Sequence, residues 1–156
     1  MKISGEYTFQ AAREAVWRSL LDPQVIASVI PGCDALEATG QHEYKGVIRI
    51  GVGSIHGRFE GLFALSNLQP PESYHLKLSG KGAPGFLEGV GDIRLVENGE
   101  STLMRYEVDA QIGGRIASVG QRLLESTARM VAKHGLERLN HVIVANLQKP
   151  SEQSPP

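Results

Sequence analysis

The sequence holds a single cysteine, Cys33, so no disulfide can form within the chain. That fits a reducing compartment better than a secreted, stapled domain. Long apolar runs are also missing: nothing approaches the roughly 18 residues a bilayer-spanning helix requires. The opening residues, Met1 to Glu6, contain no apolar signal region. Together these features lead us to expect a cytoplasmic protein. Neither sign of charge is in excess, with 16 basic against 17 acidic residues and a net charge of -1. A nucleic-acid partner is therefore not expected. Aromatic residues are few, at 6 %, with Trp17 the only tryptophan. What the chain does have is 156 residues, 41 % of them hydrophobic, and 18 glycines. That is enough for one self-supporting core without metal or disulfide.

Along the chain, residues 2–9 read as a strand. Ala11 to Leu21 reads as a short helix with Trp17, Leu20 and Leu21 on one side. Asp22-Pro23 supplies an N-cap followed by proline at the first helical position, which predicts a second short helix from Pro23 to about Val29. Pro31-Gly32 ends it. Strand-like segments follow near 35–39, 43–53, 57–68, 73–80, 86–97 and 100–112, separated by glycine- and proline-rich turns. Asn98-Gly99 accepts the positive φ angles of a two-residue hairpin. In the last strand Met104, Tyr106, Val108, Ala110 and Ile112 alternate with Leu103, Arg105, Glu107, Asp109 and Gln111, the pattern of a sheet covered on one face. Ile116, Val119, Leu123, Thr127, Met130, Val131, His134 and Arg138 recur at helical spacing, which predicts one long helix from 115 to about 148. Gly120 and Gly135 are read as close approaches of that helix to the sheet. The polar, proline-containing stretch 149–156 is expected to fray, leaving 1–148 as the folded domain.

Strand, two short helices, six strands and a long helix make an α+β domain in which the sheet wraps the terminal helix. Glycines inside the strands permit sharp bending, and a bent sheet under a straight helix leaves space between the two. That space is either filled by side chains or holds a ligand. The inward residues that would line it are Phe59, Phe63, Leu76, Met104, Tyr106, Leu123, Thr127 and Met130. Met104 and Met130 suit an adaptable wall. The hydroxyl of Tyr106 needs a partner when buried, and His134, at the helix end of the cavity, is placed to meet it or an oxygen of a guest. The segment from Trp17 to Pro31 would form the gate.

Motifs for other chemistries are missing or misplaced. Gly80-Lys81-Gly82-Ala83-Pro84-Gly85 matches a dinucleotide fingerprint, but Pro84 and then a strand follow it, so no helix end is present to receive a pyrophosphate. His134 and His141 are separated by about 10.5 Å of helical rise, too far to share one metal ion. The sequence has neither an H-E-x-x-H nor a G-x-S-x-G motif. The carboxylates Glu60, Asp92, Glu107 and Asp109 fall on the wet face, where they cannot serve a buried substrate.

The order of elements resembles the START-like helix-grip (SRPBCC) superfamily, which includes lipid carriers and polyketide cyclases. Within it the chain is similar to the G-subunit family of carbon monoxide dehydrogenase. The segments carrying the resemblance include Phe9 to Trp17, Leu21-Asp22-Pro23, Ile30-Pro31-Gly32-Cys33, Gly80-Lys81-Gly82, Gly89-Val90-Gly91, Thr102 to Tyr106 and Gly113 to Leu123. The resemblance implies a curved antiparallel sheet of six or seven strands around the C-terminal helix and a hydrophobic cavity with quinone or lipid as guest. It also implies a molybdenum hydroxylase carrying Fe–S and flavin as partner. No intrinsic cofactor, metal or catalytic residue is expected. Many members of the family end in an apolar anchor. This chain ends at Lys149 to Pro156, so any membrane contact is expected to be peripheral, at the inner face of the cell membrane. Two other readings stand beside the carrier: an adaptor for the hydroxylase that needs no ligand, and a cyclase-like enzyme.

Overall fold

A computed structural model of the chain describes residues 1–148; the predicted tail, 149–156, lies outside the described residues. The elements run β1 (Lys2–Phe9), α1 (Arg13–Leu20), α2 (Pro23–Val29), β2 (Cys33–Gly40), β3 (Glu43–Val52), β4 (Ile55–Gln69), β5 (Ser73–Gly82), β6 (Gly85–Asn98), β7 (Ser101–Gly113) and α3 (Gln121–Gln148), with a 3₁₀ turn at Arg115–Val119 before α3. The seven strands form one antiparallel sheet in the order β1-β7-β6-β5-β4-β3-β2. Every consecutive pair from β2 to β7 is a hairpin. β1 returns to close the sheet beside β7, its first and last paired residues Lys2 and Phe9 opposite Asp109 and Thr102. This is the helix-grip architecture.

Local chemistry accounts for the element ends. The Asp22 carboxylate accepts from the amides of Gln24 (2.9 Å) and Val25 (3.4 Å), capping α2 as expected. Ala12 offers no capping side chain, and α1 starts only at Arg13. The β6–β7 hairpin is present, but its loop sits one residue later than Asn98-Gly99 suggests. Asn98 pairs with Ser101, leaving Gly99 and Glu100 as the loop. Gly99 has φ +66°. A positive φ at the first loop residue alone suits a type II′ turn, in which glycine leads.

The predicted helix over 115–148 is broken at its start. Gly120 takes φ +96°, outside the helical region, so Arg115–Val119 forms a separate 3₁₀ turn and α3 begins at Gln121. An added Cβ at Gly120 would meet nothing within 4 Å, so this glycine marks a corner and not a close approach. At Gly135 the nearest atom to such a Cβ is the Val29 carbonyl oxygen, 3.6 Å away, so the neighbour there is α2 and not the sheet.

The core is divided. A larger cluster joins Phe9, Val16, Trp17, Leu20, Val29, Tyr74, Leu95, Leu139 and Ile143. A smaller one joins Val52, Phe59 and Ile116. Thr102, fully buried, ties the larger cluster to the chain before α1 by donating its hydroxyl to the Ala11 carbonyl at 2.8 Å. Thr102→Val keeps the shape but leaves that carbonyl without its partner. We expect a loss of about 1–3 kcal/mol in urea unfolding.

Candidate ligand cavity

Between the two clusters, under the first half of α3, lies a cavity of about 610 Å³, within the range typical of small-molecule sites. Its floor is the concave face of β3 to β7, and its roof is α3 with the end of α2. The floor is open partly because Gly61 and Gly80 stand directly opposite one another across β4 and β5, with Gly46 next in line on β3 outside the cavity. Gly46 is required, since its Cβ would lie 2.5 Å from the Ala35 carbonyl oxygen. Gly61 is not crowded: its nearest Cβ contact would be 3.5 Å, at Ile48. Glycine at 61 therefore leaves room rather than avoiding a clash.

Phe59, Phe63, Leu76, Met104, Tyr106, Thr127 and Met130 all line this cavity. Leu123 and His134 do not. Both are exposed on α3, and Leu123 sits over Gly53 at the β3–β4 turn. The expected stripe ran in unbroken phase from Ile116 through Val119. Past the break at Gly120, Leu124 packs against the small cluster in place of Leu123, while Thr127, Met130 and Val131 of the same stripe do reach the cavity. Farther along, Val131, Gly135, Leu136 and Leu139 face the cavity, while His134 points to solvent and cannot pair with Tyr106. Sequence reasoning also missed Tyr74, Leu78, Ile48, Ile50 and Ile93, all of which line the cavity. Tyr74 and Leu78 alternate with Leu76 and were within reach of the period-two rule that selected it. The segment expected to form the gate, Trp17 to Pro31, contributes Leu20, Ile26 and Val29 to the lining. Trp17 is only 6 % exposed and belongs to the core, while Ile30, Pro31 and Gly32 form part of the wall.

The CoxG family model, which describes the G subunit of carbon monoxide dehydrogenase, matches residues 5–144. The chain belongs to this family. No curated protein matches it. Among solved structures, a conserved protein from Geobacillus kaustophilus is 30 % identical, with TM-score 0.89 over 93 % of this chain and 96 % of that one. A START superfamily protein from Mycobacterium smegmatis shares 12 % identity, with TM-score 0.71 over 92 % of this chain and 97 % of that one. The Zhui aromatase/cyclase from Streptomyces sp. R1128 shares 15 %, with TM-score 0.68 over 95 % and 96 %. The last two share the fold of this CoxG-family chain.

The cavity wall is almost without charge. Among the described residues, Arg49 is the one lining side chain that carries a charge, and its guanidinium reaches out to Asp34 at 3.4 Å, where both side chains are more than half exposed. No group of three His, Cys, Asp or Glu among the described residues is placed to hold a metal ion. No described helix is long and apolar enough to cross a membrane. Burial and then the neighbouring Asp34 push the Cys33 thiol above its usual value, which keeps it unreactive. A larger groove of about 820 Å³ on the outer side of the sheet is bordered by Lys45, Arg58, Glu60, Lys81 and Glu88, and is charged surface open to water.

Tyr74 is the titratable group most affected by its setting. Burial raises its pKa well above the ordinary 10.0. Below pH 10 the folded and unfolded states both carry the phenol proton. As pH rises past that point the unfolded chain ionises first, so stability falls, by up to about 1.4 kcal/mol per pH unit. Tyr74→Phe removes this component. Urea midpoints for the two proteins, similar at neutral pH, should separate above pH 10 with the variant the more stable.

Proposed function

We propose that this protein is a non-catalytic carrier of a hydrophobic small molecule, a quinone or lipid, acting beside a molybdenum hydroxylase of the carbon monoxide dehydrogenase type. The observation that carries the reading is the cavity: about 610 Å³ of apolar, nearly uncharged space that separates the core into two parts. A ligand-free adaptor has no need of such a space, which costs packing energy. A cyclase would need an acid or base facing its substrate. No Asp, Glu, His or Lys is among the described lining residues. The family's name supports the choice of partner.

The roof also suits delivery at a membrane surface. Leu123, Met130 and Val131 are exposed on α3, and Arg122, Arg129 and Lys133 are exposed beside them. Apolar residues flanked by cations are what an interfacial helix presents to anionic lipid. The test is mass spectrometry of an organic extract of the purified full chain, followed by reloading of the stripped protein from vesicles containing menaquinone. A quinone or lipid recovered in near-equimolar amount supports the carrier. If the extract is bare and nothing is taken up on reloading, the protein is an adaptor.

A further inference from the structure

The polar groups of the cavity say which end of a guest goes in first. Tyr74 is only 7 % exposed. It lines the cavity from β5, and its ring meets Trp17 edge-on at 5.7 Å between centroids. That contact fixes the direction of the ring. The hydroxyl makes no hydrogen bond to any described residue. The one fully enclosed side-chain polar atom left without a partner among those residues is Nε of Arg13. The Tyr74 hydroxyl therefore keeps accessible surface. A tyrosine this deep ordinarily finds a partner for its hydroxyl. Tyr106 is not that partner. It lies two strands away, across Ile93, and its hydroxyl rests over Gly5 on β1, on the far side of β7.

The cavity also has an open side. Met130 and Val131 line it and are 53 % and 38 % exposed, so they mark the mouth. Three other hydroxyls line the cavity, on Ser79, Tyr106 and Thr127, but those side chains are only half-buried, so Tyr74 offers the donor best shielded from water. An anionic head would find no inward cation, since Arg49 is turned out to Asp34. Burying a carboxylate without a partner costs several kcal/mol.

Building on the carrier reading above, we propose that the guest is a neutral lipid-like molecule with a hydrogen-bond-accepting oxygen at one end. It enters head first, so that its carbonyl accepts from the Tyr74 hydroxyl and its apolar tail lies toward Met130 and Val131. Tyr74 is then the residue that orients the guest and selects carbonyl-headed molecules over hydrocarbons and free fatty acids. Burial keeps the phenol protonated, and so a donor, throughout the physiological range.

Three probes of one size separate the possibilities: naphthoquinone, naphthalene and naphthoate, each titrated by calorimetry into the full chain and into Tyr74→Phe. In the unmodified protein the quinone should bind about five- to tenfold more tightly than naphthalene, the ratio one hydrogen bond supplies, and naphthoate should bind more weakly than either. In Tyr74→Phe the advantage of the quinone should disappear while naphthalene affinity is unchanged. Thermal stability at neutral pH should also be unchanged, because no protein hydrogen bond is lost. Because the ratio is taken within each protein, a small change in folding cancels. A quinone-to-naphthalene ratio that survives the substitution, or naphthoate binding as tightly as naphthalene, overturns this inference and leaves the carrier reading standing. If the unmodified protein binds none of the three probes, both fail.

Discussion

Thr127→Trp is expected to abolish uptake of a hydrophobic guest while leaving the domain folded. Thr127 is half-buried on α3 and faces the cavity, so an indole there occupies the space a guest would fill. The substitution should be tolerated, because around Thr127 the helix faces the cavity and not a packed core. The overpacking penalty that follows enlargement of a tight interior is therefore small here. The effect on binding is large. Apolar burial contributes about 25 cal/mol per Å², so denying a guest only ~100 Å² of contact costs roughly 2.5 kcal/mol, approaching a hundredfold in Kd. Gly61→Leu fills the same space from the floor, where the nearest atom to an added Cβ is 3.5 Å away. Quinone recovered by extraction should fall in both variants, and quenching of Trp17, the sole tryptophan in Gly61→Leu, should fall there with it. Undiminished binding in both would show that the guest does not sit under the helix.

Leu139→Ala should produce the largest loss of stability, about 2–5 kcal/mol, whereas Met130→Ala should change stability by no more than about 0.5 kcal/mol. Both residues lie on α3 and both contribute to the cavity wall, yet their surroundings differ. Leu139 is 2 % exposed and packs with Ile143 in the larger cluster. Met130 is 53 % exposed at the mouth. The helix is held by its second half, where Leu139 and Ile143 join the larger cluster, and at its start by Leu124 on the smaller one, and it covers the cavity between the two. A domain of this size shifts its Tm by roughly 2–4 °C per kcal/mol. Leu139→Ala should thus lower the midpoint by about 10 °C, with Met130→Ala close to the unmodified protein. Equal effects at the two positions would mean that the helix is packed evenly along its length, and the cavity reading would not survive that result.

The two halves of α3 also show where a sequence stops being informative. Alternation in β7 places Met104, Tyr106 and Val108 inward without any knowledge of the partner strands, because the pleat has a period of two whatever lies across from it. The Asp22-Pro23 cap and the Asn98-Gly99 hairpin are equally local, though the hairpin loop moved by one residue to put glycine first. Helical phase is local only within an unbroken helix. The stripe extended from Ile116 across Gly120 put Thr127, Met130 and Val131 on the cavity face, but it also assigned Leu123 and His134, a turn beyond them on either side, to a cavity they do not reach.

By itself the sequence determined the order of elements, the inward face of most strands, the antiparallel sheet and the terminal helix that it grips. These follow from periodicity and turn chemistry, which are properties of single segments. Only the tertiary structure decided that the core divides in two and that Gly61 and Gly80 meet across β4 and β5 to keep the floor open. It also decided that Tyr74 is buried in the cavity wall while His134 is exposed outside it, so that Tyr106 and His134 form no pair there. A cavity is the difference between two surfaces brought together from distant parts of the chain. Its volume and its unpaired groups depend on strand register and helix placement, which no segment specifies alone.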